Sequence, residues 1–344
     1  MKIVVRYTKF LNDSYGDGGS RRSAQIAEYW QGKSVQFVDE KFELPKQYTC
    51  WQALRWILRA FHFITCHVGW RMYHSLCDKY KAILAYALRI PIIYDKYKGQ
   101  EVTFIWENTS DTYALYLMKA AGAKIVGCPH NIESLVPTQI DSVTHKVAPY
   151  WFYEEVERLK KCDEVWAISK DDTWLLQVFG VNVRYFPYYP PKLVEQQLLE
   201  IKRHRKQKSP NALQQYLILG SATNPPTRIG MQMLIDQFTQ HKGHSYEIHV
   251  AGYQTERLQI PEDANFIFHG TMSFEHLQEL LINTDGIIVY QPTTSGVITR
   301  IRENHIAGIP MYVNQNAARE YVDLPDIHVY ETIEQLDSLL SADC

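Results

Sequence analysis

The residues best suited to chemistry lie near the end of this 344-residue chain. Thr293, Thr294, Ser295, Gly296 and Val297 form a loop of small residues. Thr299–Ala307 then follows a helical pattern carrying Arg300 and Glu303, closed by Gly308 before Pro310. Backbone amides of such a loop, at the start of a helix, suit a phosphate. A carboxylate one turn inside the helix, Glu303, can accept from both hydroxyls of a ribose. Gly220, Ser221 and Arg228 form a second group. There, amides and a guanidinium could neutralise a diphosphate. Third is His130 with Asn131 and Glu133, directly after a strand, where an imidazole can meet a substrate hydroxyl or a developing charge. Fourth is Gly16, Asp17, Gly18 and Gly19, which let backbone approach a phosphate or sugar. A dinucleotide reading of these glycines is open. Asp39, about 20 residues on, stands where a ribose-binding acid would stand, although Gly-x-Gly-Gly departs from G-x-G-x-x-G. The plainer alternatives are a glycine-rich surface turn, a His130 that caps the next segment, a capped turn with a solvated Arg228, and a Glu303 on a helix surface.

These residues need elements to place them. Lys2–Tyr7 reads as a buried strand, Ser20–Trp30 as a helix and Ser34–Val38 as a second strand. Trp51–Leu88 is helical in pattern. Strands recur at Val102–Trp106, Lys124–Cys128 and Glu164–Ile168, with helices at Asp111–Ala121, Pro149–Lys161 and Lys170–Phe179. The run Phe186-Pro187-Tyr188-Tyr189-Pro190-Pro191 breaks the pattern, and the polar, basic stretch Lys192–Lys208 follows it. Alternation restarts with strands at Gln215–Leu219, Tyr246–Val250, Phe266–Phe268, Gly286–Tyr290 and Met311–Val313. Helices are expected after Gly230 and at Ser273–Asn283, Thr299–Ala307 and Thr332–Leu340. Alternating strands and helices imply an α/β fold with parallel sheets, here two doubly wound Rossmann-like domains, 1–189 and 190–344. Ligands in such sheets bind beyond the carboxyl ends of the strands, so the two domains are expected to face each other across a cleft.

Composition narrows the classes. Hydrophobic residues make up 46% and charged residues 22%, with a net charge of −2. No global basic field draws the chain to nucleic acid, which is not an expected partner. The six cysteines show no C-x-x-C pair and no zinc spacing, and fit a reducing compartment. Neither a signal peptide nor a membrane-spanning run is read, so a cytoplasmic protein is expected.

The motifs resemble those of GT-B glycosyltransferases, especially the large retaining family four. The segment Pro292–Pro310 looks like that family's donor-binding signature, which ends in a small residue, any residue, Gly, any residue, Pro. Here Glu303 matches the second of two spaced glutamates, and Ala307-Gly308-Ile309-Pro310 matches the ending. Pro129-His130-Asn131-Ile132-Glu133 resembles the His-Asn-x-Glu segment of the acceptor-side domain. Asp163–Ser169 and Gly220-Ser221 resemble two further family segments. The resemblance implies a retaining transfer of sugar from a nucleoside-diphosphate sugar to a hydroxyl acceptor. It also implies a ribose role for Glu303 and donor contacts from Gly18, Gly19, Gly220, Ser221, Arg228, Ser295, Gly296, Val297 and Arg300. His130, Arg228 and Ser295 then lie nearest the chemistry, with Asn131 and Glu133 on the acceptor side. Ser295 stands where the family has its first glutamate. Ser221 stands where it has an arginine, which leaves Arg228 as the cation in place of the usual lysine. No Asp-x-Asp motif is present, and no cofactor or obligatory metal is expected.

Residues 50–98 are rich in aromatic and basic side chains, among them Trp51, Trp56, Phe61, Trp70, Arg55, Arg59 and Arg71. Three readings stay open: a core helix with solvated arginines, an aromatic platform for an acceptor, and peripheral contact with the inner face of a membrane. Two other functions also stay open, an NAD-dependent oxidoreductase using Gly16–Gly19 and Asp39, and a non-catalytic sugar- or nucleotide-binding protein of the same fold.

Overall fold

A computed structural model describes residues 2–10, 17–73, 75–141, 143–240, 246–261 and 266–342. Gly16 and Cys344 lie outside the described residues. The chain divides into two compact units, one of Met1–Asp13 and Ser23–Pro187, the other of Ser14–Arg22 and Tyr188–Cys344. The first turn of the first helix therefore groups with the second unit.

In the first unit, strands β1 (Ile3–Tyr7), β2 (Gln36–Glu40), β3 (Val102–Trp106), β4 (Lys124–Gly127), β5 (Glu164–Ala167) and β6 (Val183–Tyr185) form one sheet in the order β2-β1-β3-β4-β5-β6. Every pairing is parallel. The helices are α1 (Gly18–Gln31), α2 (Cys50–Phe63), α3 (Leu76–Arg89), α4 (Asp95–Tyr97), α5 (Thr112–Ala120), α6 (Phe152–Leu159) and α7 (Lys170–Val178). Successive strand residues feed opposite cores. Val5, Phe104, Ile125 and Val165 pack on one face, while Val4, Ile105, Val126 and Trp166 pack on the other. Burial on both faces is why these strands read as continuous apolar runs, each buried side chain stabilising by about 1.5–3 kcal/mol.

The second unit repeats the plan. Its helices are α8 (Lys192–Arg205), α9 (Pro225–Gln240), α10 (Phe274–Asn283), α11 (Thr299–Ile306), α12 (Gln315–Ala318) and α13 (Ile333–Ala342). Its strands are β7 (Gln215–Leu219), β8 (Glu247–Ala251), β9 (Phe266–Gly270), β10 (Gly286–Val289), β11 (Met311–Asn314) and β12 (Ile327–Tyr330), all parallel, in the order β12-β11-β10-β7-β8-β9. Leu217, Ile287 and Met311 face one core, while Tyr216, Ile288 and Tyr312 face the other.

The structure departs from the sequence reading in several places, and four bear on the fold. Trp51–Leu88 is two helices, because the chain leaves α2 through a π-helical turn at Ile64–Val68 and then turns at Gly69 with φ 92°. The polar stretch after Pro191 is the helix α8, with Val194, Leu198 and Ile201 buried along one side. Its Arg205 donates to the carbonyls of Leu281, Ile282, Thr284 and Gly308. The strands β6 and β12, of three and four residues, are too short to show a period. Finally, α9 begins at Pro225, five residues before Gly230. Proline fits the first helical turn, where its missing N–H costs nothing. Gly230 sits inside the helix because a Cβ there would stand 1.9 Å from the Tyr290 carbonyl oxygen.

Candidate functional site

In the second sheet the strand order reverses between β7 and β10, the place where open α/β sheets bind ligands. The loops leaving these two strands carry the predicted residues. After β10, Thr294, Ser295 and Gly296 are buried. Arg319 ties the loop down by donating to the carbonyls of Thr294 and Gly296. Asn314 clamps the start of the loop, donating to the Gln291 carbonyl at 2.9 Å and accepting from the Gln291 N–H at 2.9 Å. The hydroxyl of Thr294 is buried with no hydrogen-bond partner among the described residues.

The loop delivers the chain into α11. The residue at its N-cap is Ile298, whose side chain has no oxygen to cap the first amides, and no acid lies in the first turn. Among the described residues no side chain caps that end, which carries a partial positive charge. Glu303 lies one turn further in and is 5% exposed. One carboxylate oxygen accepts from Arg21, the other from the Tyr188 hydroxyl. Burial first, and the Glu303 charge second, push the Tyr188 phenol well above its ordinary value, so it stays a donor. Arg300 donates to the Leu219 carbonyl and lies 3.5 Å from the Thr227 hydroxyl. Burial lowers its guanidinium to about 10, with Glu303 acting against that shift, and it remains charged at neutral pH.

Glycines bring these pieces together. A Cβ on Gly18 would lie 2.5 Å from Thr299 Oγ1, at the first residue of α11. A Cβ on Gly220 would lie 2.5 Å from Thr227, with the Arg300 guanidinium 3.1 Å away. Ser221 pairs with Thr223 at 2.7 Å. Arg228 is on the first turn of α9, not in a loop as the sequence suggested, and is exposed with no ion pair among the described residues. Gly19 follows Gly18 in the first turn of α1, and Val297 is half-buried in the loop before α11.

The first sheet changes direction between β1 and β3, and His130 and Glu107 lie just beyond β4 and β3. His130 Nε2 is 2.8 Å from Glu107 Oε1, and Phe10 stacks on the imidazole at 4.2 Å. Glu107 is 2% exposed. Burial raises its pKa, but His130, Arg6 and Ser23 outweigh burial and hold the carboxyl below its ordinary value. An ionised carboxylate only accepts, so Nε2 carries the proton in this contact, which Nδ1 does not enter. Arg6 stands 3.7 Å from Glu107 and binds Asp39 through two nitrogens, at 2.6 and 3.0 Å. Asp39, the ribose acid of the oxidoreductase reading, therefore holds the buried Arg6.

Beside this group a cavity of about 150 Å³ is lined by Lys9, Trp106, Thr109, Glu133, Trp151 and Arg158, among others. The Glu133 and Ser134 N–H groups are both held by Glu155, at 2.9 and 2.8 Å. Asn131 precedes this turn and is half-buried. A larger depression of about 620 Å³, lined by Asp39, Glu40, Phe42 and Lys96 among others, includes Asp39 of the oxidoreductase reading and none of the residues read for a nucleotide sugar.

Solved structures share this architecture. Over 99% of its length the chain matches a trehalose 6-phosphate synthase from Burkholderia multivorans, with 9% identity, 88% of that chain covered and a TM-score of 0.59. It matches the sucrose-phosphate synthase of Thermosynechococcus elongatus over 99% of its length, with 13% identity, 89% of that chain and a TM-score of 0.58. The catalytic domain of Arabidopsis thaliana starch synthase IV, solved with ADP and acarbose, matches over 99% at 10% identity, 90% of that chain and 0.58. The fold is GT-B. No protein-family model and no curated protein matches the chain by sequence.

On this GT-B frame, sequence reasoning missed the partners more than the principals. Arg21, Tyr188, Glu107 and Arg319 were not singled out. Each is an isolated residue whose partner lies between 23 and 282 positions away. One signal was available for Arg21, because it lies two residues after Gly19 of the glycine-rich segment marked for an anion.

Proposed function

We propose that this chain is a retaining glycosyltransferase of the family-four kind. It would move a sugar from a nucleoside-diphosphate sugar to a hydroxyl of a glycan, lipid or small natural product. One observation carries the reading. The uncapped N-terminus of α11 and the buried Glu303 lie one turn apart at the strand-order reversal, with Arg300 on the same helix. A diphosphate fits the first feature and a ribose the second. In the transfer, the bond from the anomeric carbon to the diphosphate oxygen breaks and negative charge collects on the leaving group. The α11 amides, Arg300 and Arg228, which forms no ion pair among the described residues, are the groups that would stabilise it. Ser295 supplies a hydroxyl and no charge where family four keeps a glutamate, so the sugar would be read through neutral hydrogen bonds there. His130 would meet a substrate hydroxyl through Nδ1.

The test is a titration of the full chain with UDP, GDP, ADP and NADH, followed by turnover of the matching nucleotide sugars. Binding of a nucleoside diphosphate, weakened at least tenfold by Glu303→Ala, is the expected result. Binding of NADH alone would overturn the proposal in favour of a dehydrogenase. Diphosphate binding with no turnover, on any donor and acceptor tried, would favour a non-catalytic binding protein.

A further inference from the structure

Helix α2 is apolar on two sides. Ala60 and Phe63 are buried, and Trp56 and Ile57 pack against the first unit's core. That accounts for one face. Trp51, Leu54, Leu58 and Phe61 are 81%, 49%, 64% and 55% exposed. Their spacing puts them in a second stripe that points away from the core. Phe61 extends it to Trp70, whose ring centre is 5.1 Å away. A contiguous exposed patch of this kind marks an interaction surface.

Charge decides among occupants. From Leu44 to Cys77 there is no Asp or Glu, while Lys46, Arg55, Arg59 and Arg71 are present, in a chain whose net charge is −2. Arg59 is paired with Asp95, at 2.5 and 2.8 Å. Lys46, Arg55 and Arg71 are exposed and form no ion pair among the described residues. By helical spacing Arg55 and His62 flank the stripe. A second copy of the chain docked symmetrically on this stripe would bring like charges together. An anionic lipid surface complements them, and tryptophans suit the headgroup level.

We propose that α2 lies flat on an anionic bilayer, with Trp51, Leu54, Leu58 and Phe61 seated among the headgroups and Arg55 meeting lipid phosphates. The helix has 14 residues and one face in the protein core, and no described helix is long and apolar enough to cross a membrane. The surface belongs to the first unit alone, so this inference stands apart from the reading of the nucleotide site.

Flotation of the full chain with vesicles tests it. Phosphatidylcholine vesicles with about one third phosphatidylglycerol should carry the protein up. Pure phosphatidylcholine, or about 0.5 M salt, should weaken binding about tenfold. Leu58→Glu should lower binding to the anionic vesicles about tenfold or more, with thermal melting unchanged because the side chain is exposed. Arg55→Glu leaves the stripe intact and should lower binding to anionic vesicles only. Absence of flotation with anionic vesicles would overturn the proposal. So would binding that neither substitution weakens, or a dimer that Leu58→Glu converts to monomer.

Discussion

Arg21 and Glu303, 282 residues apart in sequence, form an ion pair within the second unit. The carboxylate is almost fully covered, and its other oxygen is held by Tyr188. Without Arg21, a nearly buried carboxylate would keep one hydroxyl donor and only the more distant charge of Arg300. Arg21→Ala should therefore destabilise the protein by about 3 kcal/mol. Tyr188→Phe, which leaves the ion pair in place, should cost about 1–2 kcal/mol. Urea unfolding of the two variants tests the ranking. Equal, small losses would mean that the ion pair is no stronger than an exposed one.

Gly230 sets two effects against each other. Alanine in a helix interior is favoured over glycine by about 1 kcal/mol. The added Cβ would, however, stand 1.9 Å from the Tyr290 carbonyl oxygen, which is backbone and cannot rotate away. The steric cost should win, and Gly230→Ala should lower stability by about 2 kcal/mol net. A raised urea midpoint for this variant would show that α9 can shift away from the loop at no cost.

The same position shows how far the sequence could be read. Alternating apolar runs marked most of the strands and hence the parallel sheets, because burial on both faces leaves a continuous local signal. The loops after β7 and β10 were legible for the same reason, since position at a strand end is local information. Gly230 looked like a boundary, because its contact with Tyr290 lies 60 residues on and glycine alone does not announce it. Arg6, Glu107 and Arg21 were invisible as site residues for the same cause. Their roles come from ion pairs across the fold, and no spacing rule encodes those. The α8 helix was hidden by its charged surface, although Val194, Leu198 and Ile201 carry a readable helical period.

Two carboxylates of the first unit titrate in opposite senses. Burial raises Asp141, but hydrogen bonds and charge from Arg158, with Thr144, outweigh it and hold the group at about 2, down from 3.8. Its stabilisation is present above pH 3.8 and is lost as pH falls toward 2, about 2 kcal/mol in all. Burial also raises Glu155, from 4.5 to about 7, because the N–H groups of Ser134 and Glu133 offset only part of the desolvation. Between those values the folded state keeps a proton that the unfolded state has lost. Stability should fall by about 3 kcal/mol as pH rises from 4.5 to 7. Urea midpoints across pH 2–8 test both windows. Glu155→Gln should flatten the upper one and Asp141→Asn the lower. A Glu155→Gln variant with the wild-type slope above pH 4.5 would place the titrating group elsewhere.

The contact between His130 and Glu107 separates positioning from binding. Glu107 is held ionised by its neighbours and fixes the Nε2 proton of His130, so its effect on turnover is exerted through the imidazole. If His130 takes part in transfer, His130→Ala should lower kcat about a hundredfold, within the range for a positioned proton-transfer group. Glu107→Gln should lower kcat about tenfold, since the amide keeps the shape but not the charge that orients the ring. Both changes lie in the first unit and the nucleotide site is proposed in the second, so nucleoside diphosphate affinity should stay within about twofold of wild type. Steady-state turnover set beside a nucleotide titration gives both numbers for each variant. Loss of nucleotide affinity together with kcat would show that the pair holds the fold and not the reaction. An unchanged kcat in His130→Ala would remove the imidazole from the chemistry.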